Sequence, residues 1–297
     1  MDMPLDDSTP RPVVITGAST GIGRACALRL DRRGYTIFAA VRRSEDADAL
    51  RTAASSRLVP IFLDITDAGS IRSAADMVAA HAPRGLSGLV NNAGIAVGGP
   101  LEFVPIGELR RQIEVNVIGQ VAVTQAFLPL LRGAGGRIIN IGSVSGRLAS
   151  PLAGPYAASK FALEAITDAL RRELAPWDLH VVMIEAGNVA TPIWAKSASR
   201  AEETAAALPP QARVLYGDAM AGMMRYAADP PGACSPDAVA QAVERALTAR
   251  APRARYLVGR DAQIVLRLVR VLPDRWLDRL FGHRRGSRLG DRPAAPG

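Results

Sequence analysis

The chain has 297 residues, 48% of them hydrophobic and 22% charged, with a formal net charge of +8. That composition supplies the core of a globular protein. Two cysteines, Cys26 and Cys234, and three scattered histidines, His81, His180 and His283, exclude a disulfide framework and any metal-collecting spacing.

The opening MDMPLDDSTPRP is acidic and broken by proline. It lacks the basic start and apolar run of a secretory signal, so residues 1–10 read as a flexible N-terminus and a cytoplasmic location is expected. Short β-branched runs then alternate with amphipathic stretches. Strands are predicted at 13–16, 36–41, 58–63, 88–91, 137–141, 180–185 and 255–258, and helices at 21–33, 68–82, 106–131, 156–174 and 235–248. Near-continuous apolar strands separated by helices specify a parallel sheet covered on both faces. The fold class expected is therefore α/β: a single-domain, Rossmann-type doubly wound sheet of about seven strands spanning residues 11–283.

Two segments break this rhythm. Residues 192–235, rich in alanine, proline and methionine, read as a loop covering the substrate, with a plain surface excursion as the open alternative. Residues 261–281 read as a C-terminal helical segment that pairs an apolar face with Arg267, Arg270, Arg275 and Arg279. Peripheral membrane contact and packing over the pocket or a subunit neighbour both remain open for it. The arginines interrupt IVLRLVRVL, so no membrane span is expected. Residues 284–297 read as a basic disordered tail. No zinc-finger or aromatic RNA-binding signature accompanies that charge, so nucleic acid is not an expected partner.

The turn after the first strand, in VVITGASTGIGRACALRL, carries Gly17, Gly21 and Gly23. Glycines let backbone N–H groups approach a pyrophosphate, and the following helix N-terminus adds partial positive charge. The spacing is TGxxxGxG, distinct from the common GxGxxG fingerprint. Further on, GPYAASKFALEA sets Tyr156 and Lys160 four residues apart, on one face of a helix. Taken alone, the pair is either packing beside a solvated charge, or a phenol made acidic by an ammonium neighbour.

These motifs, with NNAG at 91–94, Asn116 inside EVNVIG and Ser143 ending IINIGS, resemble the short-chain dehydrogenase/reductase family from about Val13 to Thr191. The resemblance implies an NAD(P)(H)-dependent oxidoreductase that interconverts a hydroxyl and a carbonyl. In it Tyr156 is the general acid/base, Lys160 its charged partner and ribose ligand, Ser143 a donor to the substrate oxygen, and Asn116 the anchor of a proton-relaying water. It also implies coenzyme contacts from Thr16, Gly17, Ser19, Thr20, Gly21, Ile22 and Gly23. Asp64 and Ile65 would lie at the adenine, Asn92, Ala93 and Gly94 at its ribose, and Gly187, Val189 and Thr191 at the nicotinamide side. Arg42 stands at the end of the second strand, where an acidic residue would favour NAD; it suits a 2′-phosphate. NADP(H) is the coenzyme expected, with NAD(H) the alternative.

Within the family, the run from Ser143 to Trp177 looks most like retinol and hydroxysteroid dehydrogenases and their bacterial relatives. That implies a hydrophobic alcohol or ketone, steroid-, retinoid- or lipid-like. Ile193, Trp194, Leu208, Leu215, Tyr216, Met220, Met223 and Met224 offer adaptable apolar surface for it, or ordinary packing. A homodimer or homotetramer through 106–131 and 156–174 also follows from the resemblance. One departure is Ala186 in EAGNVATP, where the family usually has proline; a loosened loop is expected there. A non-catalytic dinucleotide-binding sensor or scaffold on the same fold stands as the rival reading.

Overall fold

The computed structural model describes residues 11–193 and 208–282. The expectations for 1–10, for 284–297 and for Trp194 fall outside them. Seven strands form one parallel sheet: β1 Pro12–Ile15, β2 Thr36–Val41, β3 Leu58–Phe62, β4 Gly88–Asn91, β5 Arg137–Ile141, β6 His180–Ala186 and β7 Arg255–Val258. Their order across the sheet is β3-β2-β1-β4-β5-β6-β7. The order reverses between β1 and β4, so the connections leaving these strands diverge and open a crevice at their carboxyl ends.

Helices α1 Gly21–Arg32, α2 Ser44–Ala53, α3 Ala68–His81, α4 Ile106–Ile113, α5 Gln120–Ala134 and α6 Gly154–Glu173 follow the first five strands in turn. After β6 come α7 Pro210–Ala228 and α8 Pro236–Thr248, and after β7 α9 Arg260–Val271 and α10 Asp274–Phe281. Alternation along each strand feeds two cores. Val13, Ile15, Ile37 and Ala39 meet Leu30 of α1 and Val239 and Val243 of α8 on one face. Val14, Phe38, Leu89 and Ile138 meet Val78 of α3 and Val123 and Phe127 of α5 on the other. The doubly wound parallel sheet read from the sequence is thus borne out.

Differences lie where periodicity is weak. The run expected as one helix over 106–131 contains a π-helical turn, Glu114–Gly119, between α4 and α5. The expected loop 192–235 contains α7, a helix of 19 residues in which only Ala212 is buried. Alanine, methionine, leucine and arginine favour that helix by intrinsic propensity, but with so little buried it shows no apolar stripe to read. Asp67 caps α3 by accepting from the Ser70 N–H at 2.7 Å, as its position before the helix suggests.

Candidate active site

The glycine turn is held open by its neighbours. Gly17 and Gly21 have φ of +64° and +55°, a region that side chains strain to occupy, and a Cβ on Gly23 would stand 2.3 Å from the Gly17 carbonyl oxygen. Asn92 donates through Nδ2 to the carbonyls of Thr16 and Gly17 at 2.9 and 3.1 Å. Thr16 Oγ1 accepts from the N–H groups of Asn92 and Ala93 at 2.9 and 3.0 Å. The turn after β1 and the turn after β4 are thereby one unit. The first turn of α1 carries no acidic residue, so nothing of like sign opposes an anion there. This cradle fits a dinucleotide pyrophosphate. Ser19 and Thr20 lie in the turn, whereas Ile22 also packs against the core beneath it.

Arg42 and Asp64 face one another at the far end of the crevice, Nη1 to Oδ2 3.9 Å, with the Arg42 side chain 74% exposed. The next arginine, Arg43, is turned away onto Asp46 at 3.2 Å. Asp64 also accepts from the N–H and hydroxyl of Thr66. Ile65 is buried, and its carbonyl oxygen lies so near Gly119 that a Cβ there would stand at 2.6 Å.

Ser143, at the end of β5, is hydrogen-bonded to the Tyr156 phenol on the first turn of α6. One turn further on, Lys160 is buried, its Nζ 5.7 Å from the centroid of the Tyr156 ring and donating to the Ile141 carbonyl at 2.8 Å. Burial raises Tyr156 above the ordinary phenol value, and the Ser143 hydrogen bond only partly opposes this. The same burial draws Lys160 down to about 8 against a smaller opposing pull from Glu164. Loss of water around the half-buried Tyr156 and the buried Lys160 disfavours both of their charged forms.

Asn116 lies in the π-helical turn, which accounts for an asparagine inside a long helix. Its Oδ1 accepts from Ile95 N–H at 2.9 Å, and its Nδ2 donates to Ile95 O at 3.0 Å and to Ser159 Oγ at 3.2 Å. It is one of a stripe, Gln112, Asn116, Gln120 and Thr124, that sequence reasoning missed beyond its one member. Gln112 binds the backbone of Ile95 and Val97, Gln120 the carbonyl of Ala93, and Thr124 the Asn91 side chain. Polar residues every four positions along an apolar helix are the signal that could have found them. That stripe also sets one face of Ile106–Ala134, a segment apolar and long enough for a membrane span by composition, against the chain that follows β4. Gly94 lies against Asn116, whose Oδ1 would be 3.3 Å from an added Cβ.

The segment after β6 is firmer than the lost proline suggests. Ala186 continues the ladder opposite Val258, and Gly187 N–H donates to the Val258 carbonyl at 2.8 Å. Val189 bridges Cys234, and the Thr191 side chain closes over the glycine turn, 3.2 Å from a Cβ added at Gly21. Gly187, Val189 and Thr191 therefore border the same crevice as the cradle. Met223 of α7 packs on Gly98, and Tyr216 stacks edge-on against Phe103 at 5.9 Å while donating to Glu102. Leu215 and Met224 are exposed instead.

A phenol, a serine hydroxyl and a lysine beside a nucleotide cradle can move a proton to or from an oxygen whose carbon exchanges hydride. Comparison with known proteins agrees. A family model described as short chain dehydrogenase matches residues 11–202. Human retinol dehydrogenase 5 is 41% identical over 278 residues, covering 90% of this chain and 86% of that protein. The NADPH-dependent 3-dehydrocapnine reductase of Ornithobacterium rhinotracheale is 37% identical, covering 91% and 96%. Among solved structures, a short-chain dehydrogenase from Streptomyces avermitilis superposes with a TM-score of 0.74 at 29% identity, covering 95% of this chain and 99% of that one.

Proposed function

This chain belongs to the short-chain dehydrogenase/reductase family and is an NAD(P)(H)-dependent oxidoreductase interconverting hydroxyl and carbonyl groups; on that premise we propose that its substrate is a hydrophobic alcohol or ketone, with Tyr156 as general acid/base. The observation that carries the assignment is the Ser143–Tyr156 hydrogen bond with Lys160 one turn away, beside the glycine cradle. Bound in that cradle, the nicotinamide coenzyme supplies or accepts the hydride. Ser143 donates to the substrate oxygen and stabilises charge developing on it. Tyr156 gives that oxygen a proton in reduction and takes it back in oxidation. Lys160 holds the ribose and favours the phenolate when charged. Both Nδ2 hydrogens of Asn116 are engaged by Ile95 and Ser159, and its Oδ1 accepts from the Ile95 N–H; its part in a proton relay is therefore assigned to an oxygen, the main-chain carbonyl or the second lone pair of Oδ1.

Coenzyme contacts come from Thr16, Gly17, Ser19, Thr20, Gly21, Ile22, Gly23, Asp64, Ile65, Asn92, Ala93, Gly94, Gly187, Val189 and Thr191, and Arg42 favours NADP(H). The exposed guanidinium beside Asp64 supports this preference, and a relative named for NADPH agrees with it. A steroid-, retinoid- or lipid-like substrate is favoured by retinol dehydrogenase relatives and by the apolar entrance of Val97, Leu101, Leu152 and Met223. The catalytic domain spans 11–283, with 192–235 covering the substrate. Exposed Ile118 and Phe161 favour a homo-oligomer through 106–131 and 156–174; sedimentation as a monomer would remove it. The chain is cytoplasmic, touching a membrane peripherally through 261–281.

The test is a screen of hydrophobic alcohols and ketones with both coenzymes, followed by nicotinamide absorbance. Tyr156→Phe is expected to lower kcat by about a thousandfold or more while still binding coenzyme. Turnover retained in that variant sinks the assignment.

A further inference from the structure

We infer that Asp261 and Asn188 are positioning residues for the nicotinamide-side loop, and that Tyr226 ties this loop to the helix over the substrate entrance. The inference rests on the reading above that Gly187–Thr191 faces the coenzyme.

Asp261 lies in the first turn of α9, yet its carboxylate serves another segment. Oδ2 accepts from the Asn188 N–H at 2.6 Å. Two glycines make room for it: a Cβ on Gly187 would stand 2.2 Å from Oδ1, and one on Gly259, whose φ is +105°, would stand 2.4 Å from the same atom. Oδ1 itself is buried with no hydrogen-bond partner among the described residues. A buried acceptor left unmet costs stability, so the carboxylate is kept here for the bond that its other oxygen makes. A charge-assisted bond to a backbone N–H fixes the peptide between Gly187 and Asn188. That peptide begins one residue beyond the position where the family carries proline and this chain carries Ala186.

Asn188 uses its other groups to reach outward. Its carbonyl accepts from Cys234 N–H at 2.9 Å, its Nδ2 donates to the Pro231 carbonyl at 3.1 Å, and its Oδ1 accepts from the Tyr226 hydroxyl at 2.8 Å. Tyr226 belongs to α7, whose Met223 and Tyr216 contact the entrance loop at Gly98, Glu102 and Phe103. Asn188 is therefore the joint between a loop read as binding coenzyme and a helix read as covering substrate. Ordering one side lowers the cost of ordering the other, and by linkage the effect is reciprocal.

The test uses the full chain with NADPH and NADH as probes, read by coenzyme fluorescence and amide hydrogen exchange. Asp261→Ala is expected to weaken NADPH binding about tenfold, the loss of one charge-assisted bond, and to speed exchange at Asn188. Its kcat at saturating coenzyme should fall less than its affinity. Asp261→Asn keeps an acceptor for the Asn188 N–H and should restore slow exchange and most of the affinity, which general destabilisation by Asp261→Ala would not predict. Tyr226→Phe should abolish the coenzyme-induced slowing of exchange in Pro210–Ala228. Wild-type affinity and wild-type exchange at Asn188 in Asp261→Ala would overturn the clamp, and unchanged coupling in Tyr226→Phe would overturn the joint. If the wild-type chain bound neither coenzyme, the functional reading would fail and take this inference with it, although fast exchange confined to Asp261→Ala would still report the bond itself.

Discussion

At Lys160, burial and function pull against each other. In the proposed mechanism the ammonium stands charged beside the Tyr156 phenol, yet burial lowers its folded value to about 8. As pH rises through that value the charge is lost, so kcat/KM for coenzyme, which reports the free enzyme, is expected to fall above pH about 8. Stability moves the other way. The unfolded lysine keeps its proton to about 10.4, so between the two values the unfolded chain binds more protons and folding gains as pH rises. Lys160→Met should remove both trends; parallel pH profiles of activity and unfolding would show it. Arg42 makes a second prediction at this scale. Arg42→Ala is expected to lower kcat/KM with NADPH about tenfold or more relative to NADH, because a guanidinium binds a phosphate by charge-assisted bonds. An unchanged ratio would assign the coenzyme choice elsewhere.

Helix α6 does more than present Tyr156 and Lys160. One turn beyond the lysine, Glu164 is buried and meets Arg147 and Arg255, each at 3.0 Å, while Arg147 also reaches Glu185 at 2.8 Å. Arg147 follows Ser143 by four residues, so this cluster clamps the serine turn to the catalytic helix and to β6. Burial, helped by the Glu185 charge, pushes Glu164 up to about 7 from an ordinary 4.5. Between those values the folded chain holds a proton that the unfolded chain has released, so stability declines as pH rises through the window. Glu164→Gln keeps an acceptor for both arginines and should flatten that decline, checked by denaturant midpoints at pH about 5 and about 8. An equally steep decline in the variant would place the proton on another group. Of these helices, α1, α3 and α6 were legible from periodicity and turn chemistry. The joint functions of α4 and α5 were not, since a four-residue polar stripe names no partner until the chain brings Ala93, Ile95 and Val97 beneath it.

For the molecule as a whole, the question is what faces outward. In α9 and α10, Ile264, Val271, Trp276 and Leu280 are exposed, and Arg267, Arg270, Arg275 and Arg279 share those helices. Apolar side chains flanked by arginines suit an anionic lipid surface. Because Asp261 holds Asn188 from the start of α9, truncation would disturb the crevice as well, and substitution is the cleaner test. The double variant Arg267→Glu, Arg270→Glu is expected to partition into anionic vesicles about tenfold or more weakly than the wild-type chain, at roughly 1 kcal/mol per basic residue. Equal partitioning would remove the membrane contact.

The seven strands, helices α1, α3, α6 and α8, the glycine turn and the spacing of Ser143, Tyr156 and Lys160 follow from the sequence by itself, because periodicity, glycine chemistry and a one-turn separation are local properties of a chain. Tertiary structure alone decided how acidic Tyr156 and Lys160 are, since Lys160 is buried where it donates to the Ile141 carbonyl at the end of β5, and the Tyr156 phenol meets Ser143 just beyond that strand. It likewise decided that α9 holds the loop after β6. The carboxylate of Asp261 and the amide of Asn188 are 73 residues apart in the chain, and only the parallel pairing of β6 with β7 sets them within hydrogen-bonding distance.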